Sequence, residues 1–299
     1  MQRIWGAALL ASIGWGTGTV ITRIAIRDGA SPYEIALVRG MLAGIAVIAF
    51  LALRRGLRKP GPAAATVGMV MAVTNMAIPF VLTSVAVQYA SAGFVSLPTA
   101  LIPLTTAALA HVFLPDEPMT LVKAAGLALS LTGVAVLVLA GDSGLAEGGR
   151  PLLAGALGLI TVASISAGSI VSKHYAGKYG LLEVSGIQFT LGAVLIAGAS
   201  WLFDGSVGVG PVAAWPELAY LAVMATFVPF LMYYWLIRRV TATYAAAVGY
   251  VVPLIAVIVG VIVLDEQVQP GIAIGGVLIM AGVILTDRLE RRKAGLEYR

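Results

Sequence analysis

Cysteine is absent from this chain, which removes every disulfide, zinc-thiolate site and thiol nucleophile at once. Histidine occurs only twice and no H-E-x-x-H pattern is present, so neither a metal site nor a cofactor is expected and an intramembrane metalloenzyme is excluded. Charge is scarce as well. Asp, Glu, Lys and Arg make up 11% of the 299 residues, whereas a soluble domain carries about a quarter. That shortage excludes water as the solvent for most of the surface. A hydrophobic content of 60% and a mean hydropathy of +0.97 put lipid in its place.

A bilayer core about 30 Å thick takes about 20 mostly apolar residues per helix. Ten segments have that length: 4–26, 32–53, 64–87, 92–113, 120–140, 152–174, 181–203, 215–237, 244–264 and 270–288. The expected fold is an all-α membrane protein of ten transmembrane helices. The first run follows Arg3 as a secretory signal would, but Ile4 to Ile26 exceeds the roughly 7–15-residue core of such a signal and reads as a retained span. Short turns such as "RRGLRKPGP", "LPDEP" and "LDEQVQP" separate the spans, and none has room for a further domain.

Basic residues fall mainly on one side of this arrangement: Arg3, Arg54, Arg55, Arg58, Lys59, Lys123, Lys173, Lys178, Arg238, Arg239 and the tail Arg288, Arg291, Arg292, Lys293 and Arg299. The other side keeps little beyond Arg23, Arg27 and Arg150. By the positive-inside rule both termini are expected in the cytoplasm. The net charge of +5 then needs no nucleic-acid partner.

The halves repeat each other. Pro79-Phe80 and Pro229-Phe230 are 150 positions apart, as are Pro103 and Pro253. Asp116-Glu117 and Asp265-Glu266 are 149 apart, as are Gly133 and Gly282. Arg23 falls opposite Lys173, and Glu34 with Arg39 opposite Glu183 with Gln188. Two five-helix repeats are expected, residues 1–145 and 146–299. Five is odd, so the second copy enters the membrane from the opposite side, the inverted plan of many secondary transporters.

The stretch "SIGWGTGTVITR", Ser12 to Arg23, has the spacing of a phosphate-binding glycine loop but lies inside a span with no βαβ pattern around it. Gly14 and Gly18 are one helical turn apart and form a small-residue face for close helix packing. The equivalent segment of the sixth span, "SISAGS", is also small. The first helix is thus expected to be crowded and bent, with Trp15 beside the bend.

Polar groups near span centres face protein or a wet cavity. Asn75 either meets a substrate or holds an interhelical hydrogen bond. Pro79, Pro98, Pro103, Pro229 and Pro253 each remove a backbone hydrogen bond and are read as kinks that serve gating. Trp15, Phe94, Phe230 and Tyr250 are deep enough to form an apolar wall or simply to pack, while Trp215, Tyr220 and Tyr244 belong with the interfacial belts. Arg39 is two turns inside the second span. Glu34 is five residues away, a poor helical pairing, so Arg39 reaches a partner on another helix or serves gating or carboxylate binding. No acidic residue lies in the middle of a span, which argues against a proton antiporter that shares a buried carboxylate with its substrate.

Two five-helix halves, each with a proline in the fourth helix, a "DE" before the fifth and "TGV" or "AGV" near its end, resemble the EamA-like ten-helix members of the drug/metabolite transporter superfamily. Among these the chain looks most like bacterial inner-membrane exporters of aromatic and other hydrophobic amino acids. The resemblance implies a basket-like bundle around a cavity lined by the first, third and fourth helices of each half, where Trp15, Asn75, Ser96, Ser164, Phe230 and Tyr250 fall; the chain is expected to act as a monomer. The superfamily's small drug antiporters carry a first-helix glutamate that is missing here. Its sugar-phosphate carriers use central basic residues, of which only Arg39 is present. The expected activity is facilitated export of amino acids by alternating access. The alternatives are a broad drug or purine exporter, possible proton coupling included, and an assembly subunit, which would leave the repeat without a purpose.

Overall fold

The computed structural model describes residues 2–53, 59–114, 119–145, 147–175, 177–237 and 242–293. Arg54, Arg55, Arg58, Asp116, Glu117, Arg238, Arg239 and Arg299 lie outside the described residues, as does Ala146 at the expected repeat boundary. So do the side chains of Arg3, Tyr234, Tyr244, Arg291, Arg292 and Lys293.

Every regular element among the described residues is helical. The helices are α1 (Gln2–Arg27), α2 (Pro32–Leu53), α3 (Pro62–Ala86), α4 (Ala92–Phe113), α5 (Leu121–Leu139), α6 (Pro151–His174), α7 (Leu181–Asp204), α8 (215–237), α9 (Ala242–Leu264) and α10 (Pro270–Lys293). Among the described residues nine helices are long and apolar enough to cross a bilayer, and α9 adds the apolar stretch Gly249–Leu264. Starts follow local chemistry. Ser31 and Glu34 form a capping box at α2: the Ser31 N–H donates to Glu34 Oε2 at 2.9 Å and the Glu34 N–H to Ser31 Oγ at 3.2 Å. Ser91 and Thr120 cap α4 and α5 in the same way, accepting from the N–H groups of Phe94 and Lys123.

The outer surface is apolar. Leu139, Trp201, Leu202, Phe203, Ile262 and Val277 are each at least two-thirds exposed. In water such a surface would drive aggregation; in a bilayer it is the lipid-facing wall.

Contacts are made mainly between the halves. The α1 helix packs on α8 and α9, α6 on α3 and α4, α2 on α7, and α5 on α10. The seam between α5 and α10 shows the relation of the two copies directly. A Cβ added at Gly133 would come within 2.7 Å of the Gly275 carbonyl oxygen, and one at Gly126 within 2.8 Å of the Gly282 oxygen. Because 126 meets 282 while 133 meets 275, the equivalent helices run antiparallel, as inverted repeats must. Ser130, near the crossing, donates to the Ile279 carbonyl at 3.0 Å. Small residues are what let the two backbones approach this closely.

Candidate functional site: two broken helices and their clasps

The third helix of each half loses its regular hydrogen bonding at the same place. Val73–Ala77 in α3 and Val223–Phe227 in α8 wind as π-helix, 150 residues apart. The Ile78 N–H reaches back five residues to the Val73 carbonyl, and Val228 does the same to Val223. Pro79 and Pro229 follow immediately. Lacking an N–H, each can serve neither the residue four before it nor the one five before it. Two carbonyls per bulge are left without a helical partner, and an inserted turn of this kind is a common bend point.

The first helix of the opposite half covers each bulge. From α6, Ser164 Oγ donates to the Thr74 carbonyl at 2.9 Å. At the equivalent position of α1, Gly14 lies against the Met224 carbonyl oxygen and the Pro229 ring, leaving no room for a Cβ. The relation repeats one step along. Ser166 Oγ lies 3.4 Å from the Ile102 carbonyl, and a Cβ on Gly16 would stand 2.8 Å from the carbonyl oxygen of Val252, the counterpart of Ile102. Serine hydroxyls on one side and bare glycine backbone on the other thus serve the same crossing. Gly18 faces Ala225, and its counterpart Gly168 faces Thr74 and Asn75.

Arg39 completes the second clasp. Its Nε donates to Thr226 Oγ1 at 2.7 Å and its Nη2 to the Ala225 carbonyl at 3.0 Å, one of the two that Pro229 leaves open. Thr226 Oγ1 in turn lies 2.8 Å from the Leu221 carbonyl. The Phe80 ring covers the guanidinium, its centroid 4.3 Å from Cζ. Placing an arginine at membrane depth costs about 3 kcal/mol on insertion scales. Hydrogen bonds to a charged donor return about 1.5–3 kcal/mol each and the ring about 0.5–2 kcal/mol. The guanidinium is therefore held, and it couples α2 and α3 of the first half to the bulge of the second.

The remaining candidates divide into small groups. Asn75 and Ser164 both bond to Thr74 at the α3 bulge: Thr74 Oγ1 donates to Asn75 Oδ1 at 2.9 Å and Ser164 Oγ to the Thr74 carbonyl. Trp15 packs on Tyr233 with ring centroids 5.4 Å apart, and Phe230 meets Phe189 edge-on at 6.0 Å. Tyr250 packs against the cluster that contains Phe94, which is fully buried. Ser96 is buried with its hydroxyl donated to the Gly93 carbonyl at 2.9 Å. The prolines also differ. Pro98 lies within a 3-10 stretch, Leu97–Leu101, and Pro103 just after it, whereas Pro253 sits inside an α-helix that continues to Leu264.

Several polar contacts were invisible in the sequence. Thr17 Oγ1 and Tyr220 Oη lie 3.0 Å apart, so the Tyr220 ring near the start of α8 also bonds to α1. Glu266, in the link between α9 and α10, accepts from the Ala92 N–H at 2.8 Å and the Gly93 N–H at 3.4 Å, at the N-terminus of α4. Arg23 Nε approaches Glu266 Oε1 to 3.7 Å, while Arg23 Nη1 donates to the Val87 and Ala90 carbonyls, both at 2.9 Å. This nearly buried pair ties one end of α1 to both halves. Its repeat counterpart is Lys173 with Glu117, and Glu117 lies outside the described residues.

The chain is similar to known proteins along most of its length. The profile of the EamA-like transporter family matches residues 4–139 and again 152–287. A probable terminal-alkyne amino-acid exporter of Streptantibioticus cattleyicolor is 27% identical over 98% of this chain and 96% of its own length. An inner membrane transporter of Escherichia coli, YedA, is 27% identical over 95% of this chain and 90% of its own. A solved crystal structure, 21% identical, superposes with a TM-score of 0.66 over 97% of this chain and 99% of that one, and shows the same fold. With a family match in each half and inverted five-helix repeats clasped across the middle, the chain is a membrane transporter that belongs to the EamA-like transporter family.

Proposed function

We infer that this transporter exports amino acids with aromatic or other hydrophobic side chains across a bacterial inner membrane, by alternating access and without ion coupling. The observation that carries this reading is the pair of broken helices. Each half, taken as residues 1–145 and 146–299, holds a hinge at its π-bulge, and each hinge is gripped by the first helix of the other half. Exchanging the bends of two such hinges opens the centre to one side and then the other, as inverted repeats allow.

In this reading Trp15, Asn75, Phe230 and Tyr250 face the substrate. Phe94, Ser96 and Ser164 form a second layer, because the two hydroxyls already donate to helix carbonyls and the ring is fully buried. Gly14 and Gly18 with the five prolines carry the motion. Both termini lie in the cytoplasm, the protein acts as a monomer, and the Arg23–Glu266 pair closes the outward end. The printed name of the Streptantibioticus relative, an amino-acid exporter, supports the substrate class.

Uptake of labelled phenylalanine and leucine into liposomes holding the purified protein tests this. Saturable uptake without a pH gradient is expected. Uptake only with the gradient would overturn the uncoupled mechanism, and no uptake above empty liposomes would overturn the substrate class.

A further inference from the structure

We propose that Arg39 is the anchor for the cargo's negative charge, so that this transporter selects amphiphiles bearing a carboxylate and rejects those bearing only an amine. The inference rests on the transport reading above and names the chemical group that the site requires.

Arg39 has neutral neighbours. It lies about 10 Å along α2 from its start, at 1.5 Å per residue, and bonds to a hydroxyl and a backbone carbonyl. These satisfy donors but bring no compensating charge. No described carboxylate lies within 4.0 Å of it. Glu34, the acid nearest to it on α2, is engaged with Ser31 at the helix start. An uncompensated cation inside a membrane protein is costly, and its repeat counterpart shows that the scaffold does not demand one. The α3 bulge is built with Gln188 at the position equivalent to Arg39. The charge is therefore an addition to one half alone.

Part of the guanidinium remains available. Arg39 keeps partial exposure, and Nη1 is neither hydrogen-bonded to a described residue nor among the polar atoms sealed from solvent. Nη1 and the second proton of Nη2 offer the parallel donors that a carboxylate accepts in bidentate fashion. One ring lies on the cation, and further rings adjoin that one. Phe80 covers it, and Phe80, Phe189 and Phe227 share one cluster, with Phe230 against Phe189. A cation beneath one ring that belongs to a larger apolar cluster suits a carboxylate carried on an apolar side chain.

The test compares four probes in the purified transporter, read by binding-induced thermal stabilisation and by competition in liposomes: phenylalanine, 3-phenylpropionate, phenylalaninamide and phenethylamine. Phenylalanine and 3-phenylpropionate should bind at least ten-fold more tightly than the amide and the amine. In Arg39→Gln this preference should vanish while weak binding of the amide persists; Arg39→Lys should retain part of it. Equal binding of all four by the unaltered protein, or an unchanged preference in Arg39→Gln, would overturn the anchor. Because the first comparison needs no variant, a folding defect in Arg39→Gln leaves the proposal open to refutation. If 3-phenylpropionate binds and phenylalanine does not, the anchor stands and the amino-acid reading falls. If none of the four binds, both fall.

Discussion

The Ser164 hydroxyl donates to the Thr74 carbonyl at 2.9 Å, across the two halves and at the turn where Pro79 has no N–H to offer. It replaces a backbone hydrogen bond by one from another helix. Ser164→Ala removes the donor and keeps the packing, so the cost should be about 0.6–1.7 kcal/mol, the range for such bonds in membranes. Thermal unfolding in detergent reads it. No loss of stability would mean that water already serves this carbonyl.

Gly14 makes the equivalent crossing with no side chain at all. Any Cβ there meets the Met224 carbonyl and the Pro229 ring, and neither can yield cheaply. Gly14→Val should therefore lower stability by several kcal/mol, within the overpacking range of about 1–3 kcal/mol or above it, and stop transport. Gly6→Val on the same helix meets nothing within 4 Å and should be close to neutral. Equal effects of the two substitutions would remove the crowded crossing from the account.

Pro229→Ala returns an N–H to the α8 bulge, where the Ala225 and Met224 carbonyls lack helical partners. Competition with Arg39 for Ala225 should straighten the helix, raise thermal stability and slow transport several-fold. Faster or unchanged transport would show that this bend is not a moving part.

The Arg23–Glu266 pair, at 3.7 Å with both side chains mostly buried, gives a test that the chain itself makes convenient. With no native cysteine, a single cysteine placed near Trp15 reports access from either side by thiol labelling. Glu266→Gln keeps an acceptor for the Ala92 N–H but deletes the charge, and removing one partner of a buried pair costs about 3–5 kcal/mol. Labelling from the Glu266 side should rise. If it does not, the pair secures the fold and leaves the gate elsewhere.

Much of this architecture is legible in the sequence itself. Composition and run length located the helices to within a few residues: 152–174 became Pro151–His174, and 64–87 became Pro62–Ala86. The 150-residue register of Pro79 and Pro229 exposed the duplication because proline is rare enough inside helices for its recurrence to carry information. The π-bulges were hidden, since hydrophobic periodicity hardly changes when a bond runs to the fifth residue and not the fourth. Arg39 drew notice through its charge, but Thr226 and Ala225 did not, because a threonine and a backbone carbonyl leave no mark on an apolar stretch. Glu266 was hidden for a like reason: its partners are the N–H groups of Ala92 and Gly93, which belong to every sequence. The candidate wall divided into separate packing groups because a helix face, and not residue type, decides which rings meet.

The most direct test of alternating access in this transporter is counterflow. Liposomes holding the protein are loaded with unlabelled phenylalanine and diluted into a trace of labelled phenylalanine, with no ion gradient imposed. A single site exposed in turn to each side should produce a transient accumulation of label above its external concentration, absent from liposomes that hold Gly14→Val. Label that rises only to equilibrium, at a rate indifferent to the internal phenylalanine, would contradict the account.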